Sequence, residues 1–494
     1  MTDRIHDLID HAAQTSPDAP ALLDAGASVS YADHAAATRA LADLLAREGL
    51  RPGDRLLVVA ENGRMAATLI FAASRLGAVS VPVNARMTGA ELARIEAHAT
   101  PRLVVYTAGV SPDAAAHAGA APVLDTPAGT LALRPGAAPA QGGATPDTAV
   151  ILYTTGTTGD PKGVMLTHGN LIFGGRTSAT LRGMRPSDRI YGVLPVTHVF
   201  GLASMLMAAT SVGACIQFAP RFAPDALYKA LLDGVTVFPG VPQMHALLMA
   251  HVARQGIDRL KDVPLRYVSS GAAPLDPAWK RKAEDFYGLP LQNGYGMTET
   301  TAGICATTNA LGDPDISVGP ALPGVEIRLD TAQGGDDPAI GEVLTRGPHV
   351  MAGYYRNEAE TARVLQDGWM RTGDLGRIEG DRLHIVGRAK ELIIRGGFNV
   401  YPPEVEAALN DHPEVIQCAV VGRQVEGDEE ILAFVQCADP DALDLDGLRA
   451  FAAARLAPYK RPTRIVAATA LPAAPTGKLL KHKMIAAFAD RLGG

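Results

Sequence analysis

Two rhythms of apolar and polar positions alternate along the first half of the chain. Residues 32–47 and 64–75 set alanine, leucine and other apolar residues at helical spacing, and the first run stops at Gly49, as a helix should. The runs 55–60, 78–83, 103–106 and 149–153 are short and almost wholly apolar, the pattern of buried strands. Strands alternating with helices predict layered α/β structure with largely parallel sheets. Residues 107–147 are rich in Ala, Pro and Gly and weakly patterned, and read as a surface excursion. Gly201 to Ala219 carries no charge, yet its small and hydroxylated residues and its end at Pro220-Arg221 predict a buried helix and a strand at 214–218 rather than a membrane span.

From about residue 316 to 386 the pattern shifts to short strands at 325–329, 342–345 and 383–386. A turn-rich stretch at 334–338 reads as a hairpin loop. This predicts a small β-barrel-like subdomain. Beyond Lys390 a mixed pattern returns: helix 403–410, strands 415–421 and 430–436, helix 446–455. With 494 residues, more than one domain is expected. The chain is therefore read as a large N-terminal domain (1–387) of layered α/β sheets with the β subdomain, and a small α+β C-terminal domain (392–494).

Composition narrows the function. Hydrophobic residues at 47% and charged residues at 20% indicate an ordinary globular protein. A net charge of −7 disfavours a generally basic nucleic-acid surface. Cys215, Cys305, Cys418 and Cys437 form no CxxC pair and no Cys–His metal spacing, so buried thiols in a reducing cytoplasm are expected. The N-terminus is too polar for a signal peptide. A homodimer is left open.

The most informative stretch is Tyr153-Thr-Thr-Gly-Thr-Thr-Gly-Asp-Pro-Lys-Gly163, directly after an apolar strand pattern. Gly156, Gly159 and Gly163 leave backbone N–H groups unobstructed. Thr154, Thr155, Thr157 and Thr158 add hydroxyls and Lys162 a cation, a set suited to polyphosphate. It is not a Walker A loop, because Asp160-Pro161 separates Gly159 from Lys162.

This loop resembles the phosphate loop of the adenylate-forming superfamily, which includes acyl- and aryl-CoA synthetases, peptide-synthetase adenylation domains and firefly-type luciferases. Four further stretches follow in that family's order: Asn293-Gly-Tyr-Gly-Met-Thr-Glu-Thr300, Arg371-Thr-Gly-Asp374, Gly387-Arg-Ala-Lys-Glu391 running on to Gly396-Gly-Phe-Asn399, and Pro475-Thr-Gly-Lys478. The resemblance spans nearly the whole chain. It implies ATP, Mg²⁺ and CoA as reactants or cofactors and a mobile C-terminal lid that pivots at 388–391.

Residue by residue, the resemblance implies that Glu299 holds Mg²⁺ and that Thr298 lies near the phosphate or carboxylate. Tyr295 stacks on adenine, and Gly271, Ala272 and Ala273 run along it. Asn293, Gly294, Gly296 and Met297 complete that nucleotide wall. Asp374 accepts from the ribose hydroxyls, Arg388 contacts the nucleotide near the hinge, and Lys478 reaches the α-phosphate. Lys390 is the pivot. Gly396, Gly397 and Phe398 line the pantetheine tunnel, and Arg86 meets the CoA phosphates.

His198 is the expected gate between acyl site and thiol tunnel. The acyl pocket is expected from His198, Val199, Phe200, Phe238 and Val241, with Gly271, Gly294, Gly296, Thr301 and Ile304. Malonate-type relatives carry arginine just before Tyr-Gly-Met-Thr-Glu. Gly294 stands there in this chain, so an uncharged aromatic, arylpropenoic or aliphatic acid is expected. A carrier protein is the alternative acceptor, and a nucleotide-binding protein without catalysis is the reading from another class.

Overall fold

The structure is a computed structural model. It describes residues 4–492 apart from 139–141, 156–160, 272–274, 334–336, 397, 426–427 and 474–478.

Two eight-stranded sheets form the large domain. In the first, Cys215–Phe218, Arg189–Gly192, Val237–Gly240, Tyr267–Ser270 and Leu291–Tyr295 run parallel, flanked by Pro20–Asp24. In the second, Val79–Asn84, Arg55–Ala60 and Leu103–Tyr106 are parallel neighbours, and Thr148–Thr155 pairs antiparallel with Pro161–Thr167. The strand Arg55–Ala60 is buried on both faces, which explains its unbroken apolar run. Helix Arg64–Arg75 is hydrophobic nearly all round and sits inside the main core with Leu69, Ile70 and Phe71 fully buried.

Helices 32–47 and 64–75 are observed as Tyr31–Arg47 and Arg64–Arg75. Residues 107–147 are more than an excursion. Helix Pro112–Ala118 and strands Val123–Thr126 and Gly129–Pro135 lie there, and the last pairs antiparallel with Leu103–Tyr106. Buried Leu131, Ala132 and Leu133 drive this pairing. Short strands at a sheet edge, diluted by glycine and proline, give too little periodicity to read.

The uncharged 201–219 run folds as expected, as buried helix and then strand. Its helix contains a π-helical turn at Leu202–Met207, and Cys215–Phe218 is the strand. Among the described residues no helix is long and apolar enough to cross a membrane. The four cysteines are free and buried.

The β subdomain is a five-stranded antiparallel sheet that includes Glu326–Asp330, Gly341–Arg346, Trp369–Glu379 and Arg382–Arg388. The first two pair antiparallel; of the loop expected at 334–338, residues 334–336 lie outside the described residues. The C-terminal domain has its own cores around Val405, Leu432 and Phe434. Its sheet joins Gln417–Val425, Asp428–Gln436 and Arg464–Ala468, and a hairpin of Ile393–Arg395 and Phe398–Val400 packs beside it.

Candidate active site

The stretches that carry Lys162, Tyr295, Glu299, Asp374 and Arg388 converge where strands of the large domain end. Thr148–Thr155 and Pro161–Thr167 stay paired up to Thr155 opposite Pro161, with Thr154 opposite Lys162. Gly156, Thr157, Thr158 and Gly159, between these strands, lie outside the described residues, as does the Thr155 side chain.

The Lys162 ammonium pairs with the Glu360 carboxylate and lies 5.4 Å from the centre of the Tyr354 ring. Arg363 also binds Glu360, at 2.7 and 2.8 Å. Hydrogen bonding from Arg363, joined by Lys162, holds the Glu360 carboxyl down at about 2.

Glu299 sits in the short 3₁₀ turn Thr298–Thr300 and is buried. The Tyr354 hydroxyl donates to its Oε1 at 2.9 Å. Burial pushes the Glu299 carboxyl above the usual carboxylate range, while Tyr354, Arg388 and Lys162 pull it back.

Next to this turn, Tyr295 Oη donates to Asp374 Oδ2 at 2.7 Å, and Arg388 Nε lies 3.1 Å from Asp374 Oδ1. Asp374 and Arg388 face one another across paired strands. A buried carboxylate, a phenol and a guanidinium are thereby locked together from residues 79 and 14 positions apart.

Glycines in this region answer to packing. A Cβ on Gly296 would lie 2.1 Å from the Ala302 carbonyl oxygen, so only glycine fits. Thr301 and Ala302 follow with φ of +50° and +77°, two non-glycine residues in the left-handed region, and the Thr301 hydroxyl donates to the His349 carbonyl at 2.7 Å. A Cβ on Gly294 would meet Cys305 O at 3.3 Å. Asn293 serves this framework: its side chain donates to Ser317 O and accepts from Gly294 N. Met297 N is held by Thr300 Oγ1 at 2.9 Å.

Among the residues expected to wall the acyl pocket, His198 caps its helix by accepting from Phe200 N at 3.2 Å. The Phe200 ring lies 3.1 Å from where a Gly271 Cβ would stand. Val199, Val241, Thr301 and Ile304 are buried. Phe238 is buried between the rings of Tyr191 and His245. Ala272 and Ala273 lie outside the described residues.

Toward the C-terminal domain, Lys390 occupies the 3₁₀ turn Ala389–Glu391. Its neighbour Glu391 and Glu406 both bind Lys481, at 3.1 and 2.8 Å. Gly396 has φ +57° and donates to Asp428 at 2.8 Å. Phe398 is exposed and stacks on Tyr459 with ring centres 4.7 Å apart. Arg86 lies 3.6 Å from the buried carboxylate of Glu61, which also accepts from Arg221 at 2.8 Å. Gly397 and Lys478 lie outside the described residues.

Tyr354 and Glu360 were not legible beforehand. They lie 55 and 198 residues from the partners they hold, with no local pattern to mark them.

Residues 9–355 match the family model of the AMP-binding enzymes, and residues 404–478 match the model of the AMP-binding enzyme C-terminal domain. The chain is 33% identical over 478 residues to a feruloyl-CoA synthase of Amycolatopsis, with 96% of each chain covered. It is 32% identical to an indoleacetate–CoA ligase of Aromatoleum aromaticum, again with 96% of each covered. Among solved structures, ATP-bound MatB from Rhodopseudomonas palustris superposes with a TM-score of 0.82 at 31% identity, covering 99% of this chain and 100% of that one. The chain belongs to the AMP-binding enzyme family.

Proposed function

We propose that this protein is an AMP-forming carboxylate–CoA ligase. In the first half-reaction a carboxylate oxygen of the acid bonds to the α-phosphorus of ATP, and the bond to pyrophosphate breaks. In the second, the thiolate of CoA bonds to the acyl carbon and AMP leaves with the electron pair of the acyl–oxygen bond. The first step joins two anions, so oriented cations and donors are its main requirement.

The observation that carries this reading is the cluster Lys162–Glu360, Glu299–Tyr354 and Asp374–Tyr295–Arg388, drawn from distant motifs. Lys162 and the threonine loop meet the phosphates. Asp374 takes the ribose hydroxyls, exchanging its contacts with Tyr295 and Arg388. Tyr295 and the stretch 271–273 flank adenine, and Thr298 lies beside the reacting phosphate. Glu299, a buried carboxylate linked through Tyr354 to Lys162, fits Mg²⁺, which keeps few protein ligands. Glu299 would hold that ion, which when bound neutralises phosphate charge.

Lys478 brings one further cation to the α-phosphate. The lid, 392–494, turns about Lys390 between half-reactions, which exchanges Lys478 for the hairpin of Gly396–Phe398 and opens the thiol path past His198. Arg86 meets the CoA phosphates. The enzyme works in the cytoplasm, without nucleic-acid or stable membrane partners.

The acid carries no charge near its reacting carboxyl, because Gly294 brings none there. An aromatic or arylpropenoic acid is favoured over a medium- or long-chain aliphatic one. The test is pyrophosphate release with ATP and Mg²⁺ across a panel of such acids, followed by thioester formation with CoA against a purified carrier protein. Release with no acid overturns the reading, and transfer to the carrier alone reassigns the acceptor.

A further inference from the structure

Arg182 is 8% exposed, yet among the described residues it forms no ion pair. It follows the helix His168–Leu181. Its guanidinium donates to the Ser204 carbonyl and lies 5.7 Å from the centre of the Tyr267 ring, whose side chain also hydrogen-bonds it. Five N–H donors thus meet one carbonyl and one tyrosine. Nearby Arg266 is satisfied differently, by both oxygens of Asp188. A buried guanidinium without an anion is costly, and burial draws the Arg182 pKa below its ordinary value.

Its place in the fold gives this donor surplus a direction. The helical run from His198 begins at the candidate gate, where Phe200 packs on Gly271 just past the end of strand Tyr267–Ser270. Ser204 lies farther along that run, in the π-helical turn Leu202–Met207, and Tyr267 begins the strand. Helix and strand therefore run side by side in opposite directions, with Phe200 and Gly271 at one end and Arg182 bridging them at the other. Six helical residues from His198 to Ser204 span roughly 9 Å at ~1.5 Å each. That is comparable with the reach of an arylpropenoic acid from carboxyl to para position. A π-helical turn frees backbone geometry, and such turns frequently mark functional sites. Ser178 Oγ donates to Ser204 Oγ at 3.2 Å, and Arg266 holds the Arg182 carbonyl at 3.0 Å, so both ends of the contact are fixed.

We infer that Arg182 is a specificity residue at the far end of the acyl site, selecting acids that carry a hydrogen-bond-accepting oxygen remote from the reacting carboxyl. This rests on the ligase reading and adds to it. Gly294 leaves the mouth of the site uncharged, and Arg182 supplies donors at the opposite end. A neutral phenolic oxygen and a distal carboxylate share the required chemistry.

The test compares kcat/KM for pyrophosphate release with cinnamate, 4-hydroxycinnamate and 4-carboxycinnamate, in the wild type, Arg182→Met and Arg182→Lys. The wild type is expected to favour at least one oxygen-bearing acid over cinnamate by about tenfold or more, as for a site built to hydrogen-bond its substrate. In Arg182→Met the ratio falls toward one, and in Arg182→Lys it recovers in part. A stronger preference for 4-carboxycinnamate identifies an anion as the partner; a stronger one for 4-hydroxycinnamate identifies a neutral acceptor. A merely structural arginine would leave the ratio untouched in a folded Arg182→Met protein, and that result overturns the inference. A flat wild-type preference also overturns it, even where neither variant folds. No release with any acid instead brings down the ligase reading on which it stands.

Discussion

The two ends of the candidate site are built by opposite means. At the nucleotide end the ionised groups among the described residues are partnered: Lys162 has Glu360, Asp374 has Tyr295 and Arg388, and buried Glu299 has Tyr354. At the proposed acyl end the walls are glycine, apolar side chains and tight backbone, and the one charged group inferred there is Arg182. On the proposed reading, charge locked by charge would fix where phosphates and ribose go, whatever acid is present. Shape decides which acid enters. Substitutions at the nucleotide end should therefore slow all acids alike, whereas substitutions at the acyl end should change their ranking.

The largest expected effect is at Lys478. Lys478→Ala should lower pyrophosphate release by about 10²–10³, the usual loss for one preorganised donor. Thioester formation from supplied acyl-AMP should be largely spared. Release at the wild-type rate would remove Lys478 from the chemistry.

Lys390→Pro should do the converse. Fixing φ near −65° costs about 3 kcal/mol where the backbone must turn otherwise, so thioester formation should fall about a hundredfold while acyl-AMP accumulates. Equal loss of both half-reactions would place the pivot elsewhere.

Gly294→Arg probes the acyl end. The new side chain starts 3.3 Å from a carbonyl oxygen and carries a cation into the pocket mouth. Uncharged acids should lose roughly 10–100-fold in kcat/KM, with malonate spared or improved. A uniform loss across all acids would erase the contrast between the two ends.

Tyr354→Phe is the mildest. Burial already raises the Glu299 carboxyl, and removing the tyrosine donor raises it further. If ionised Glu299 is required, the acid limb of the pH–rate profile moves to higher pH. Activity on the acid limb should then drop by roughly tenfold, the scale of one hydrogen bond to a charged group, and recover as pH rises. A profile that keeps its shape would separate Glu299 from catalysis.

How much the sequence revealed differs between these ends as well. Strands such as Arg55–Ala60 and Leu103–Tyr106 were readable because burial on both faces demands unbroken apolar runs. The glycine-rich loop and the Tyr-Gly-Met-Thr-Glu stretch were readable because backbone access and a lone carboxylate are local properties. Tyr354 and Glu360 carry no local signature, since a cross-chain hydrogen bond leaves no periodicity. Nothing in the local sequence marks Arg182, and only folding places it between a π-helical turn and a strand. Gly129–Pro135 escaped notice because an edge strand can be short and interrupted and still pair.

The Lys162–Glu360 pair has a consequence for how ionic strength acts on the enzyme. A bare phosphate site gathers small anions and gives them up to an incoming polyphosphate, so its affinity falls steeply with salt. Here the lysine carries its own carboxylate, tethered by Arg363. If Lys162 meets the phosphates as proposed, nucleotide entry exchanges one anion for another at the same ammonium. Few free ions are displaced, so the affinity for ATP is set lower from the outset but depends only weakly on the surrounding electrolyte.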